Sequence, residues 1–132
     1  DGATPADLAP CTALLTLCEV APPRGLKGVH YPIPDEGYLP VPAWDTAVFL
    51  VESWLHAGET MLVHCRLGVS RAPAVVAAYL AFSGHSVDPD YAMDYVQAIR
   101  PIVKTHPETW RGVQDWWLSR PCPRKDRHAP GS

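Results

Sequence analysis

The segment from Met61 to Phe82 limits the fold of this chain more than any other stretch. It begins with the apolar run MLVH, which has the length of a buried strand, and continues with the loop Cys65 to Arg71. The next eleven residues, APAVVAAYLAF, are almost wholly apolar and end before Ser83-Gly84. Short apolar runs are typical of buried strands and longer ones of buried helices. The segment therefore predicts a strand, a loop and a central helix in direct succession.

The rest of the chain alternates in the same way. Apolar spacing together with proline and glycine positions predicts two short strands, a helix before MLVH and two amphipathic helices after Phe82. The predicted strands cover Cys11 to Leu17 and Gly28 to Pro34, and the predicted helices cover Ala43 to Ala57, Pro89 to about Arg100, and Pro107 to about Ser119. This order predicts an α/β fold in which helices flank a small, mostly parallel sheet.

The residues best suited to catalysis or ligand binding follow the carboxyl ends of two predicted strands. These ends meet at one edge of a parallel sheet, where ligands bind in open α/β folds. Pro34-Asp35-Glu36 follows one strand, and the loop Cys65 to Arg71 follows the other. We therefore expect the functional site at this edge. Glu19, after the first strand, is expected to point toward the same edge.

The loop Cys65 to Arg71 has the features of an anion site. A loop that enters a helix N-terminus directs several unpaired N–H groups inward, and Gly68 permits close approach of the backbone to an anion. Such a positive environment favours the thiolate of a cysteine, which is its nucleophilic form. Arg71 can place two parallel hydrogen bonds on the oxygens of the same anion. The loop thus predicts a nucleophile beside a phosphate or sulfate site.

The motif HCRLGVSR resembles the phosphate-binding loop of cysteine-dependent protein tyrosine phosphatases. It has a histidine before the cysteine, five intervening residues with glycine third, and then arginine. In its length and in the mid-chain position of this loop, the chain resembles the small atypical dual-specificity phosphatases. The resemblance covers about Thr12 to Trp117. The resemblance implies a protein tyrosine phosphatase-like fold of the dual-specificity type. It also implies an enzyme that needs no cofactor. We expect this fold to be N-terminally shortened, because the family usually has another strand and helix before the first strand found here.

The resemblance also implies roles for individual residues. Cys65 is the nucleophile, Arg71 binds the phosphate, and Asp35, 30 positions before Cys65, is the general acid. His64 supports the loop, although a core histidine at a strand end is an alternative interpretation. Glu36 is the nearest rival acid, and Asp35 could instead cap a proline turn. The phosphate loop consists of Cys65, Arg66, Leu67, Gly68, Val69, Ser70 and Arg71.

Composition excludes several other classes. The length of 132 residues predicts one domain over 1–119, and the basic, proline-rich stretch 120–132 is expected to be disordered. The basic residues concentrated there leave the body acidic, so we expect no nucleic-acid partner. No apolar run is long enough for a membrane helix, so we expect no membrane partner. Four sparse cysteines without metal-ligand spacing predict a reduced, cytoplasmic protein without a metal. We also expect a monomer.

The leading hypothesis is a phosphomonoester hydrolase that acts on a phosphorylated protein or a small phosphomonoester through a phosphocysteine intermediate. Ala72 stands where the family usually has serine or threonine, which leaves a catalytically weak phosphate-binding module as an alternative. A rhodanese-like sulfurtransferase is the second alternative, although persulfide transfer has no comparable need for Asp35. We also expect Asp45 in the first turn of its helix and Tyr95 in the core.

Overall fold

The computed structural model describes residues 11–19, 21–22, 25, 27–34, 37–65 and 70–120. Within these residues, three strands and four helices follow one another in the predicted order. They are β1 (Ala13–Thr16), β2 (Gly28–His30), α1 (Val41–His56), β3 (Met61–His64), α2 (Arg71–Phe82), α3 (Pro89–Ile99) and α4 (Pro107–Ser119).

The three strands form one parallel sheet in the order β2-β1-β3. Because β1 lies in the centre, Thr16 is paired with His30 on one side and with His64 on the other. All three strands therefore end at the same edge, as the sequence predicts. The chain beyond β2 continues along this edge, since the N–H groups of Tyr31 and Ile33 donate to the carbonyls of Thr16 and Leu17.

The main core joins one face of the sheet to α1, α2 and α4. Trp44 in α1 and Trp116 in α4 are both fully buried there. Burial of an indole removes about 150–250 Å² from water, which stabilises the fold by roughly 4–6 kcal/mol before entropy is counted. Both indole N–H groups donate hydrogen bonds. That of Trp44 donates to the carbonyl of Leu39 at 3.1 Å, and that of Trp116 donates to a carboxylate oxygen of Asp45 at 2.7 Å.

The beginnings of α3 and α4 follow from local chemistry. The carboxylate of Asp88 accepts from the N–H of Tyr91 at 2.8 Å, and the ring of His106 accepts from the N–H of Glu108 at 3.2 Å. Each cap precedes a proline at the first helical position, where the missing N–H costs nothing. The predicted starts of α3 and α4 are confirmed. The central position predicted for α2 is also confirmed, because eight of its twelve residues are buried.

Two predictions about single residues are wrong. Helix α1 begins at Val41, two residues earlier than expected, so Asp45 lies beyond the first turn and instead pairs with Trp116. Tyr95 is 59% exposed, because the face of α3 that carries Ala92 and Met93 is the one that packs on α2.

The tail predicted to be disordered, 120–132, lies outside the described residues apart from Arg120. The Arg120 guanidinium lies 4.8 Å from the ring centroid of Phe82 and 5.1 Å from that of Trp116. Arg120 therefore belongs to the folded body, and the expected domain boundary at residue 119 stays a prediction.

Candidate active site

Cys65 is the first residue after β3, and the carboxyl edge of the sheet places it against the beginning of α2. Its side chain is only 6% exposed, and its Sγ accepts a hydrogen bond from the backbone N–H of Ala72 at 3.3 Å. Unpaired N–H groups and the helix dipole both stabilise negative charge at a helix N-terminus. The sulfur of Cys65 therefore lies at a helix N-terminus, within hydrogen-bond distance of a backbone N–H. Residues 66–69, the middle of the predicted phosphate loop, lie outside the described residues.

Arg71 is the first residue of α2, and its side chain is 2% exposed. Its Nη1 donates to the carbonyl of Ile33 at 3.2 Å, and at 3.5 Å to both the carbonyl of Leu17 and a carboxylate oxygen of Glu19. These partners follow β1 and β2, so the guanidinium lies at the sheet edge that the sequence predicts for the site. Glu19 reaches the same edge, as expected, with its own side chain 65% exposed.

Asp35 and Glu36 lie outside the described residues, but the residues on both sides of them are well anchored. Ile33 is 5% exposed and bonds to both Leu17 and Arg71. On the other side, the Thr109 hydroxyl in α4 donates to the carbonyl of Gly37 at 3.3 Å.

The residues after Gly37 are held by α4 as well. The Tyr38 hydroxyl donates to Asp115 at 2.7 Å, and the guanidinium of Arg111 lies 4.5 Å from the centroid of the Tyr38 ring. Helix α4 therefore holds the segment that follows the predicted acid, Asp35, in the sequence.

His64 is half-buried at the end of β3. Its Nε2 lies 3.0 Å from the hydroxyl oxygen of Thr16. Burial lowers the pKa of His64, the nearby His30 lowers it further, and a hydrogen bond to the backbone of Cys65 partly opposes the shift. The ring is therefore held in its neutral form, directly before the candidate nucleophile.

Two polar contacts at the site were missed by sequence reasoning. The Ser70 hydroxyl accepts from the N–H of His106 at 3.0 Å, which ties the end of the phosphate loop to the beginning of α4. Thr16 is fully buried beside His64. Its signal in the sequence is a lone polar residue inside the apolar run ALLTL, a position that requires a hydrogen-bond partner.

Within the described residues, no group of three or more His, Cys, Asp or Glu side chains could hold a metal ion. Across the same part of the chain, no helix has the length and apolarity needed to cross a membrane.

The fold and the site together define a class of protein. A cysteine directly follows a parallel strand, its sulfur accepts a hydrogen bond from the first turn of the next helix, and an arginine is the first residue of that helix. Residues 24–117 match the family model described as the dual specificity phosphatase, catalytic domain. The chain belongs to this family.

Individual relatives agree with that assignment. The chain is 32% identical to mouse dual specificity protein phosphatase 2 over 96 residues, which is 70% of this chain and 30% of that protein. It is 36% identical to rat protein phosphatase Slingshot homolog 3 over 76 residues, which is 58% of this chain and 12% of that protein. The chain thus spans less than a third of the length of either relative.

The crystal structure of human DUSP28 has a similar fold. It superposes with a TM-score of 0.76 and 23% sequence identity, over 89% of this chain and 85% of that one. The predicted fold class, a small α/β domain of the dual-specificity phosphatase type, is confirmed.

Proposed function

We propose that the chain is a cysteine-dependent phosphomonoester hydrolase, a protein tyrosine or dual-specificity phosphatase. In this proposal Cys65 is the nucleophile, Arg71 binds the phosphate and Asp35 is the general acid. The observation that carries the proposal is the hydrogen bond from the Ala72 N–H to the Sγ of Cys65, with Arg71 opening the same helix. It puts a nucleophile and two groups that favour negative charge within one helical turn.

In the first step the Cys65 thiolate attacks phosphorus, and a phosphorus–sulfur bond forms as the phosphorus–oxygen bond to the leaving group breaks. The leaving alkoxide or phenoxide takes a proton from the carboxylic acid of Asp35. Tyrosine has a pKa of about 10, so an unassisted phenoxide is a poor leaving group near neutral pH. A positioned acid speeds such a step by roughly 10² to 10⁴. Arg71 and the loop N–H groups stabilise charge on the phosphoryl oxygens.

In the second step water attacks the phosphorus of the phosphocysteine. The Asp35 carboxylate, which gave up its proton in the first step, takes one from that water. The phosphorus–sulfur bond breaks, inorganic phosphate is released, and Cys65 returns to the thiolate. The cycle therefore needs no metal or cofactor.

The proposed substrates are phosphorylated proteins or small phosphomonoesters, in keeping with the names of the relatives. We place the enzyme in the cytoplasm as a monomer, with the catalytic domain over 1–119 and a disordered tail. Within the described part of the chain, Cys11 and Cys65 are free thiols, which suits a reducing compartment.

Hydrolysis of p-nitrophenyl phosphate by matched variants tests the proposal. We expect vanadate-sensitive hydrolysis by the parent protein and none by Cys65→Ser. Asp35→Asn should lower kcat by roughly 10² to 10⁴, whereas the neighbouring control Glu36→Gln should retain most activity. The parent kcat/KM should be bell-shaped in pH, and Asp35→Asn should remove the basic limb.

Three results would overturn parts of the proposal. Absence of vanadate-sensitive activity in the parent would favour a phosphate-binding module without turnover. Persulfide formation on Cys65 from thiosulfate would favour a sulfurtransferase. A basic limb that persists in Asp35→Asn would mean that another group is the acid.

A further inference from the structure

A stripe of large apolar side chains runs along the exposed side of α3 and the turns at its two ends. The stripe, called the α3 stripe below, consists of Val87, Tyr91, Tyr95, Ile99 and Ile102. Its members follow one another at intervals of three or four residues, so they lie on the same side of the helix. Each of them is 59–66% exposed, whereas Ala92 and Met93 pack toward α2. The α3 stripe is therefore separate from the face that packs in the core.

The α3 stripe is large enough to be an interaction surface. Its five side chains together expose on the order of 500 Å². Single exposed apolar residues are ordinary, but a contiguous patch of this size is typical of a site that binds another protein. Tyrosine is enriched at such interfaces, because its ring is apolar and its hydroxyl is polar. The α3 stripe is therefore a docking surface, and the charges beside it indicate what it binds.

The charged residues beside the α3 stripe differ between its two ends. Asp90 and Asp94 lie in the first half of α3, and Arg100 and Lys104 follow the last residue of the helix. All four residues are exposed. Within the described part of the chain, Asp94, Arg100 and Lys104 take part in no ion pair. One end of this surface is therefore acidic and the other end is basic.

We propose that the α3 stripe joins two copies of this chain in a reversible dimer, with the two α3 helices antiparallel across a two-fold axis. Such an axis brings the same surface of both copies together. Positions 94 and 100, like positions 95 and 99, are equally distant from position 97. An axis near that position puts Asp94 beside Arg100 of the partner subunit and Tyr95 beside Ile99 of the partner subunit. A parallel pair would instead bring like charges together, which is unfavourable.

The size of the α3 stripe fits a weak dimer. Two stripes with their charged borders would bury about 1,000–1,200 Å² in total, which is the lower end of the range for specific interfaces. Interfaces of this size are transient. The proposed monomer is therefore the form at low concentration and remains the catalytic unit, while the dimer forms from it as the concentration rises.

Sedimentation velocity of the 132-residue chain over a concentration series tests the dimer. We expect a monomer at low micromolar concentration and a growing dimer fraction toward millimolar concentration. Tyr95→Glu puts a charge in the middle of the α3 stripe and should weaken association by roughly 30-fold. Phe49→Glu is the matched control, because it replaces a 65% exposed aromatic on α1 and should leave the dissociation constant unchanged. Thermal unfolding checks that both variants are folded.

Charge reversal tests the antiparallel arrangement. Asp94→Arg and Arg100→Asp each place like charges across the axis, so each should weaken self-association by about 10-fold. One variant then has arginine at both positions and the other has aspartate at both. An equimolar mixture of the two should therefore dimerise at least as well as the parent, and so should the double variant D94R/R100D.

Three outcomes would overturn the proposal. A parent protein that stays monomeric at every concentration would show that the α3 stripe does not bind a second copy and serves another partner. A dimer that Tyr95→Glu leaves unchanged would place the interface on another surface. A mixture of the two charge variants that stays monomeric would contradict the antiparallel pairing. Sedimentation needs no turnover, so these outcomes are independent of the proposed phosphatase activity.

Discussion

The backbone N–H of Ala72 donates a hydrogen bond to the Sγ of Cys65 at 3.3 Å, from the first turn of α2. Ala72 is 5% exposed, and because its side chain is a methyl group, it offers the sulfur a backbone donor but no side-chain donor. The first step of the proposed reaction needs a thiolate, which this backbone N–H favours. The second step needs the same sulfur to leave, and a hydroxyl at position 72 would assist it.

Ala72→Ser should therefore raise steady-state kcat. A hydrogen bond to a departing, charged sulfur is worth about 1.5 kcal/mol, which corresponds to about tenfold in rate. Rapid-mixing kinetics with p-nitrophenyl phosphate should show a burst in the parent and a smaller one in the variant. Ala72→Gly, which adds no hydroxyl, is the control. Progress curves without a burst in the parent, together with an unchanged kcat in Ala72→Ser, would contradict a slow second step caused by Ala72.

Thr109→Val should lower kcat by roughly 5-fold. The Thr109 side chain is 1% exposed, and its hydroxyl donates to the carbonyl of Gly37, two residues after Asp35. Loss of that bond costs about 1 kcal/mol and loosens the segment that holds the proposed acid. Thr109→Ser should restore the rate. The effect should vanish in an Asp35→Asn background, since interacting residues are not additive. An equal loss in both backgrounds would show that Thr109 acts independently of Asp35.

Gly112→Ala should destabilise the fold by about 1–3 kcal/mol. A Cβ at this position would lie 2.7 Å from the carbonyl oxygen of Leu39 and 2.8 Å from Nε1 of Trp44. Those two atoms are hydrogen-bonded to each other, so neither can move without breaking that bond. Urea unfolding measures the change, and Leu118→Ala, at an 80% exposed position of the same helix, should change stability little. Equal midpoints for Gly112→Ala and the parent would show that α4 can shift away.

The stability of the protein should fall as the pH falls below about 6.5. The pKa of His64 is lowered in the fold by burial, so below the usual histidine value the unfolded chain binds this proton more readily than the folded one. His64→Gln should show a shallower fall between the usual value and the lowered one. His85→Gln, on an exposed turn after α2, is the control. Urea midpoints that decline equally in the parent and His64→Gln would contradict the burial of a neutral ring.

The order of elements could be predicted because several boundaries have a local chemical cause. Pro89 and Pro107 follow side chains that cap a helix, and MLVH is a short apolar run that follows Glu59-Thr60 and precedes the loop Cys65 to Arg71. The edge at which the site lies also follows from local information, since parallel strands share their carboxyl ends. Arg71 and Glu19 do meet at this edge, although they are 52 positions apart.

The remaining features depend on contacts between distant segments. The pairing of Thr16 with His64 needs the register between β1 and β3, which a sequence without an alignment does not specify. The anchoring of Gly37 by Thr109 needs the packing of α4 beside α1. Tyr95 has the apolar spacing of a core residue, but the packing angle of α3 on α2 decides which face is buried.

Direct detection of the covalent intermediate tests the central claim most sharply. The protein is mixed with p-nitrophenyl phosphate, quenched in acid within the burst phase, digested and examined by mass spectrometry. We predict a phosphoryl group on the peptide that contains Cys65, absent from Cys65→Ser and less abundant in Ala72→Ser than in the parent. Phosphate release by the parent with no phosphoryl group on Cys65, or with one on a different residue, would contradict the account.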